Sequence, residues 1–256
     1  MTLTALIADD EDAPRAQLLA ALRRVWPELR TVEAANGTDA WDAFLEHEPR
    51  VCFLDVRMPG LTGIEVAQRI GPHAHIVFVP AAGDHALASF DSGAVDYVLK
   101  PIDDQRLAQV VARVQARLAQ PGGAPPDLQG LLTRLAGQVR KPAPLDVIRS
   151  SLGLDVRLVR VCDVVYFETD GRQTRVVSTD GEMLIGTPLK ELVTQLDAAK
   201  FWQVHRALIV NREHIEQAVA GADGAMHLTL RGRAEKLPVQ QHFQPLFARS
   251  PQPKQA

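Results

Sequence analysis

The sequence predicts two domains of different class: a doubly wound α/β domain with a five-stranded parallel sheet over residues 1–118, and a mostly β domain over residues 145–250. Three observations carry this reading. Along the first 118 residues, short apolar runs alternate with amphipathic segments, the pattern of a parallel sheet wrapped by helices. Residues 119–144, "AQPGGAPPDLQGLLTRLAGQVRKPAP", form a proline- and glycine-rich linker enclosing a short helical segment. Beyond it the apolar runs become short and β-like, separated by turn signals.

The strand candidates of the first domain are Leu3–Ala8, Leu29–Ala34, Val51–Leu54, His75–Val79 and Val95–Leu99. Between the first two, "DAPRAQLLAALRRVW" sets Leu18, Leu19, Leu22 and Val25 at helical spacing, and "NGTDAWDAFLEH" repeats the device with Ala40, Phe44 and Leu45. In the linker, Leu128, Leu131, Leu132 and Leu135 make one apolar stripe, which packs on a neighbouring domain or pairs with its copy in a dimer. In the second domain "VRLVRV", "VVYFE", "TRVVS", "MLI", "ALIVN", "MHLTL" and "KLPV" read as strands, with turns at Thr169-Asp170-Gly171 and Asp180-Gly181. Met226, Leu228 and Leu230 alternate with His227, Thr229 and Arg231, so one face of that strand is wet. One helix stands out here: Thr187 can cap it, Pro188 suits its first turn, and Leu189, Leu192, Val193 and Leu196 face inward.

At 256 residues and 46% hydrophobic content the chain can bury a substantial core. It has no run of 18 apolar residues, and "MTLTALIADD" is no basic leader, so a cytoplasmic protein without a membrane segment is expected. Cys52 and Cys162 lie far apart in apolar runs without CxxC or Cys/His spacing, which points to structural thiols. The first 120 residues carry 11 Lys+Arg against 17 Asp+Glu, and the remainder 17 against 14. The rear half is only mildly basic, so charge alone does not establish nucleic-acid binding.

Acids gather at one edge of the predicted parallel sheet. Asp9 and Asp10 end the first strand, and Asp55 ends the third in "VCFLDVRMPG". Ligands of doubly wound sheets collect at the carboxyl ends of the strands. Like charges placed there are costly unless a cation neutralises them. A carboxylate set with few nitrogens or sulfurs nearby asks for a hard ion, Mg²⁺ before zinc. Lys100, at the end of the fifth strand in "VLKP", adds a positive group, while Asp12 simply favours the start of a helix.

"LIADDEDAPR", "FLDVRMPGLTG" and "DYVLKP" resemble the three signatures of response-regulator receiver domains, over residues 3 to about 118. The resemblance implies a flavodoxin-like fold in which a sensor histidine kinase or a small phosphodonor phosphorylates Asp55. It implies that Asp10 and Asp55 bind Mg²⁺ with the backbone carbonyl of Arg57, that Asp9 helps through water, and that Lys100 contacts the phosphoryl oxygens. Mg²⁺ and Lys100 would neutralise charge on the transferring group while Asp55 attacks. Phosphatases of the haloacid dehalogenase type share the Asp nucleophile and Mg²⁺ but place a second acid two residues later. Arg57 stands there, so the chain is not read as an enzyme.

One position departs from the receiver pattern. In "HIVFVPAAGDHALASF", Pro80 stands where receivers usually carry Thr or Ser, whose hydroxyl moves toward the phosphoryl group and is followed by an aromatic, here Tyr97. Proline has no hydroxyl, no N–H and a fixed φ. Either the N–H of Ala81 and Lys100 still register the phosphate with a weakened switch, or the receiver works largely without phosphorylation. Receivers of this kind often form homodimers through their fourth helix, fifth strand and fifth helix, a face that here includes Asp91, Asp96 and Arg106.

"VVYFETDGRQTRVVSTDG", "FWQVHRALIVNREHIE" and "HLTLRGRAEKLPVQQHFQPL" resemble the characteristic stretches of LytTR-type DNA-binding domains, over roughly residues 145–248. The resemblance implies an elongated β domain whose loops enter successive major grooves of promoter DNA. Arg172, Thr174 and Arg175, then His205 and Arg206, then Gln240, Gln241 and His242 match the contacting loops, with Arg206 foremost. Asn211 is expected to pin the turn after its strand. The third loop carries Gln240-Gln241 where the family often has Ser-Arg, and the missing arginine is expected to remove a phosphate or guanine contact, which leaves the target sequence open. Two other readings stay open: a DNA binder with a constitutive receiver, and a regulator of protein partners whose β domain binds no DNA.

Overall fold

The computed structural model describes residues 3–81, 96–119, 144–150, 157–221 and 224–247. The leucine stripe of the linker and Asp91 lie outside the described residues. The chain divides into two compact units, Met1–Lys141 and Pro142–Ala256.

The first unit is built from β1 (Thr4–Ala8), α1 (Asp12–Val25), β2 (Arg30–Ala34), α2 (Gly37–His47), β3 (Val51–Leu54), α3 (Gly63–Ile70), β4 (His75–Phe78), β5 (Asp96–Tyr97) and α4 (Asp104–Leu118). Its strands pair in parallel in the order β2-β1-β3-β4-β5, the flavodoxin-like order, whose switch point falls between β1 and β3. Strand alternation sorts the core. Ala5, Ile7, Val51, Phe53 and Val77 face Leu18, Leu22, Leu107 and Val111 of α1 and α4, while the intervening residues point to the other face, where α2 packs on α3. The helices start where their caps stand. The Asn36 side chain accepts from Asp39 N–H at 2.8 Å, Asp103 from Arg106 N–H at 2.8 Å, and Thr62 with Glu65 makes a capping box.

The second unit contains β6 (Val147–Ser150), β7 (Arg157–Arg160), β8 (Val164–Asp170), β9 (Gln173–Ser178), β10 (Gly181–Ile185), α5 (Leu189–Gln195), β11 (Phe201–His205), β12 (Leu208–Asn211), β13 (Ile215–Ala220), β14 (Met226–Leu230) and β15 (Lys236–Val239). An antiparallel sheet in the order β10-β9-β8-β12-β11 carries α5 on one face, where Leu189 and Leu192 pack against Phe167, Val176 and Ile209. The hairpin β6-β7 and the three-stranded sheet β13-β14-β15 complete the unit. Asn211 acts as its sequence position suggests: buried, it accepts from Glu213 N–H and donates to the Val164 carbonyl at 2.9 Å.

Two local expectations change. Pro188, not Thr187, takes the N-cap position of α5, because its fixed φ and missing N–H suit a helix start; the Thr187 carbonyl accepts from the Thr174 hydroxyl instead. Cys52 is buried, and burial pushes its thiol pKa far up, but Cys162 is exposed in a 3-10 turn, Val161–Asp163, instead of a strand. Among the described residues no helix is long and apolar enough to cross a membrane.

Candidate functional site

The first site lies at the carboxyl edge of the parallel sheet. Backbone hydrogen bonds align the strand ends there: Asp55 N–H donates to the Ala8 carbonyl, Asp9 N–H to Ala34, and Lys100 N–H to Pro80 at 2.9 Å. The sheet thus delivers Asp9, Asp55 and Lys100 to one spot from three different strand ends. The Lys100 ammonium lies 2.9 Å from Asp9 Oδ2, 3.0 Å from Asp55 Oδ2 and 3.4 Å from Glu11 Oε1. Asp9, Asp55 and Lys100 are buried, whereas Glu11 is exposed. The second Asp55 oxygen accepts from Val56 N–H at 2.6 Å.

Electrostatics follow from this crowding. Burial pushes the Asp55 carboxyl above its usual range, an effect that the hydrogen bond from Lys100 only partly offsets. Burial works against the Lys100 charge too, yet hydrogen bonds to Asp9 and Asp55 prevail and hold its pKa above the ordinary lysine value. The ammonium is therefore fully charged at neutral pH. The carboxylate oxygens of Asp9, Glu11 and Asp55 lie within 4.8 Å of one another, an all-oxygen set suited to a hard divalent cation.

Among the residues anticipated from sequence, Asp10 is exposed and outside that trio, Arg57 is exposed two residues past Asp55, and Ala81 is exposed beyond β4. Pro80 is buried, with its carbonyl engaged by Lys100 N–H. Tyr97 is half-buried beneath the Arg106 guanidinium, 5.5 Å from the ring centroid. Asp96 is buried and ion-paired within the chain to Arg113 and Arg117. Sequence reasoning missed Glu11, whose adjacency to Asp9 and Asp10 was the available signal. It also missed Arg15, which donates to the Asp9 carbonyl at 2.8 Å and pairs with Asp12 in the first turn of α1.

The second site is one end of the five-stranded sheet. Asp170 pairs with Gln173, so β8 and β9 are joined by a two-residue turn, Gly171-Arg172, in which Gly171 supplies a φ of +60°. His205 pairs with Leu208, so β11 and β12 are joined by Arg206-Ala207. Thr169 N–H donates to the Ala207 carbonyl at 3.0 Å, which brings the two tips to the same end. The third stretch arrives from β15: Gln240 N–H donates to the Val204 carbonyl at 2.8 Å, and the Gln240 side-chain oxygen accepts from Arg206 N–H at 3.3 Å. One end of the sheet thus gathers three stretches far apart in sequence, at the Arg172 turn, the Arg206 turn and Gln240, with Gln241 and His242 following in the chain.

Their surroundings divide them. Arg172 and Gln241 are exposed; His205, Arg206, Gln240 and His242 are half-buried. His205 Nδ1 accepts from Ala207 N–H at 3.1 Å, and burial together with the neighbouring Arg206 lowers its pKa. The ring is therefore neutral at pH 7 and carries its proton on Nε2, which makes it a donor toward solvent or a ligand. Thr174 is 0% exposed and gives its hydroxyl to the Thr187 carbonyl, so the fold assigns it to the core, not the surface. Arg175 is held by Glu168 and Glu182 over the Tyr166 ring; a phosphate would have to displace both carboxylates.

Comparison with known proteins agrees with both halves. Residues 5–112 match the response regulator receiver domain and residues 155–250 the LytTr DNA-binding domain. Over 256 aligned residues the chain is 34% identical to an uncharacterized response regulatory protein of Vibrio cholerae, covering 96% of this chain and 97% of that protein. It is 30% identical to the positive alginate biosynthesis regulatory protein of Pseudomonas aeruginosa (90% and 91% covered) and 27% identical to the sensory transduction protein LytT of Bacillus subtilis (94% and 95%). The chain belongs to the LytTR family of two-component response regulators, in which a receiver is followed by a DNA-binding domain, and its function is transcription regulation.

Proposed function

We propose that phosphorylation of Asp55 changes the pairing of the receiver and thereby the binding of two output domains to promoter DNA in the cytoplasm. The observation that carries this is the Lys100 ammonium between the buried carboxylates of Asp9 and Asp55 at the carboxyl edge of the sheet. The Asp55 oxygen attacks phosphorus, the bond from phosphorus to the leaving group of a histidine kinase or small phosphodonor breaks, and Lys100 balances charge on the transferred group. Asp10, Asp55 and the Arg57 carbonyl would hold Mg²⁺, with Asp9 acting through water; the convergence of Asp9, Glu11 and Asp55 supports such an ion. When bound, Mg²⁺ neutralises the phosphoryl oxygens and orients the donor. Ala81 N–H supplies a further contact beside Pro80, and Tyr97 responds.

In the output domain Arg172, His205, Arg206, Gln241 and His242 contact DNA, while Gln240 holds the Arg206 turn. Short turns on a packed sheet keep these donors in fixed register, which direct base readout requires. The near-neutral module gains little from phosphate neutralisation, so a homodimer on two half-sites supplies affinity through effective concentration.

Genome-wide occupancy of the wild type and Asp55→Asn tests the reading. Loss of discrete sites in the variant supports phosphate control. Unchanged sites would leave a DNA binder with a constitutive receiver, and no sites in either chain would leave a regulator of protein partners. On a site so identified, Arg206→Ala is expected to cost about 1–3 kcal/mol of binding, roughly 5- to 150-fold, in fluorescence anisotropy at fixed salt. Arg106, exposed over Tyr97, lies on the expected dimer face. Arg106→Glu is expected to lower the dimer fraction of phosphodonor-treated protein in analytical ultracentrifugation; an unchanged dimer would remove this face from the account.

A further inference from the structure

We infer that Arg15 is a positioning residue for the cation-binding loop: it ties both ends of Asp9-Asp10-Glu11 to helix α1 and so fixes where their carboxylates stand. This rests on the Mg²⁺ site proposed above. The loop needs an anchor of its own because the sheet releases the chain just before it. The parallel ladder between β1 and β2 ends at Ala8, and Asp9 N–H reaches back to the Ala34 carbonyl, so the Asp9 carbonyl is the first to lie beyond the ladder. The helix that follows starts at Asp12, and Pro14 in its first turn has no N–H to offer the loop. Arg15, the next residue, supplies the donors. Its N–H bonds to the Glu11 carbonyl at 3.1 Å, and its guanidinium donates to the Asp9 carbonyl at 2.8 Å. Asp10, exposed and expected to be a direct ligand, stands between these two ties.

A guanidinium beside a cation site carries an obvious disadvantage, repulsion of the ion. Here that charge is offset. Arg15 pairs with Asp12 at the start of α1 and with Glu33 of β2, so one positive group sits between two carboxylates. What remains is direction. A planar fork with five N–H donors can serve three acceptors at fixed angles, whereas a lysine ammonium is a point charge on a flexible stem. The Arg15 side chain is only 15% exposed, and its three acceptors belong to the end of β1, the first turn of α1 and β2. The loop is thereby tied to the sheet that also carries Asp55, and the carboxylates on both sides of the site keep a common frame.

The test is calorimetric titration of the full chain with MgCl₂, without any phosphodonor, for wild type, Arg15→Gln and Arg15→Lys. Residues that hold metal ligands in place weigh about tenfold or more in metal affinity. Arg15→Gln is expected to bind Mg²⁺ about tenfold more weakly than wild type, and Arg15→Lys, which keeps the charge but not the fork, is expected to be weaker as well. An affinity at or above that of wild type in either variant overturns the inference, because the fork is then dispensable. Tighter binding by Arg15→Gln would show that charge, not position, is what Arg15 brings. Thermal melts in EDTA set a titration temperature at which every variant is folded, so a lower melting temperature with wild-type affinity marks Arg15 as structural only and also overturns it. If wild type itself binds no Mg²⁺, the cation reading of the acidic edge fails first, and the role of Arg15 falls with it.

Discussion

An Asp55→Asn chain is expected to gain no phosphoryl mass when incubated with acetyl phosphate and Mg²⁺, under conditions in which intact-mass spectrometry detects the adduct on wild type. The carboxamide is a poor nucleophile and brings no charge to Lys100 or to the cation. A residual adduct would move the acceptor elsewhere and undo the assignment. The same substitution has a second expected result, in stability. Burial raises the Asp55 pKa even after the attraction of Lys100 is counted. A carboxyl with a raised folded-state pKa binds protons more readily folded than unfolded, so stability rises as pH falls through that range and the charged form weighs against the fold at neutral pH. Asn is nearly isosteric and uncharged. Its melting temperature at pH 7 should equal or exceed that of wild type, and the difference should close on acidification toward the ordinary carboxylate range.

A large loss of stability is expected from Gly63→Ala, against the end of the strand that carries Asp55. A Cβ at Gly63 would stand 1.8 Å from the Asp55 carbonyl oxygen and 2.9 Å from its carbon. Both are backbone atoms, so no rotamer change relieves the clash. The approach is fixed from both sides, since Gly63 N–H donates to the Val56 carbonyl at 3.0 Å while Asp55 N–H is bonded to Ala8. Either α3 or the end of β3 must shift, at a cost of about 3 kcal/mol or more. For a domain of this size that lowers the melting temperature by more than about 10 °C. Because the shift moves Asp55 itself, the phosphorylated fraction of surviving folded protein should fall as well. A melt within a degree or two of wild type would show that the loop yields, contrary to the packing described.

The fold class was legible because each domain follows its own hydrophobic period. Runs such as "VCFL" and the "IVF" that follows His75 have no polar residue to place on a wet face, and the leucines of α1 recur at helical spacing. Asp9, Asp55 and Lys100 were legible as a group for a related reason: each ends a strand of one parallel sheet, so topology alone brings them together. Glu11 was not, because it belongs to the loop between β1 and α1, and the direction of its side chain depends on how that loop turns back. Thr174 was misplaced at the surface although the alternation in "QTRVVS" sets it on the face of Val176, which is buried. The link from Gln240 to Arg206 joins residues 34 apart and could not be read from spacing. Nor could the approach of Gly63 to the Asp55 backbone, since a glycine after a turn serves many purposes.

The tips at Gly171-Arg172 and Arg206-Ala207 close hairpins whose registers are held by interior residues, among them Phe167, Val176 and Ile209. The strands are thus held together below the tips. On the contact scheme proposed above, substitutions at Arg172, Arg206 and Gln241 change the DNA sequence preferred while the sheet beneath them stays under unchanged selection. The same separation recommends these three positions for a randomised library: its members should remain folded in large proportion and differ chiefly in the DNA they retain.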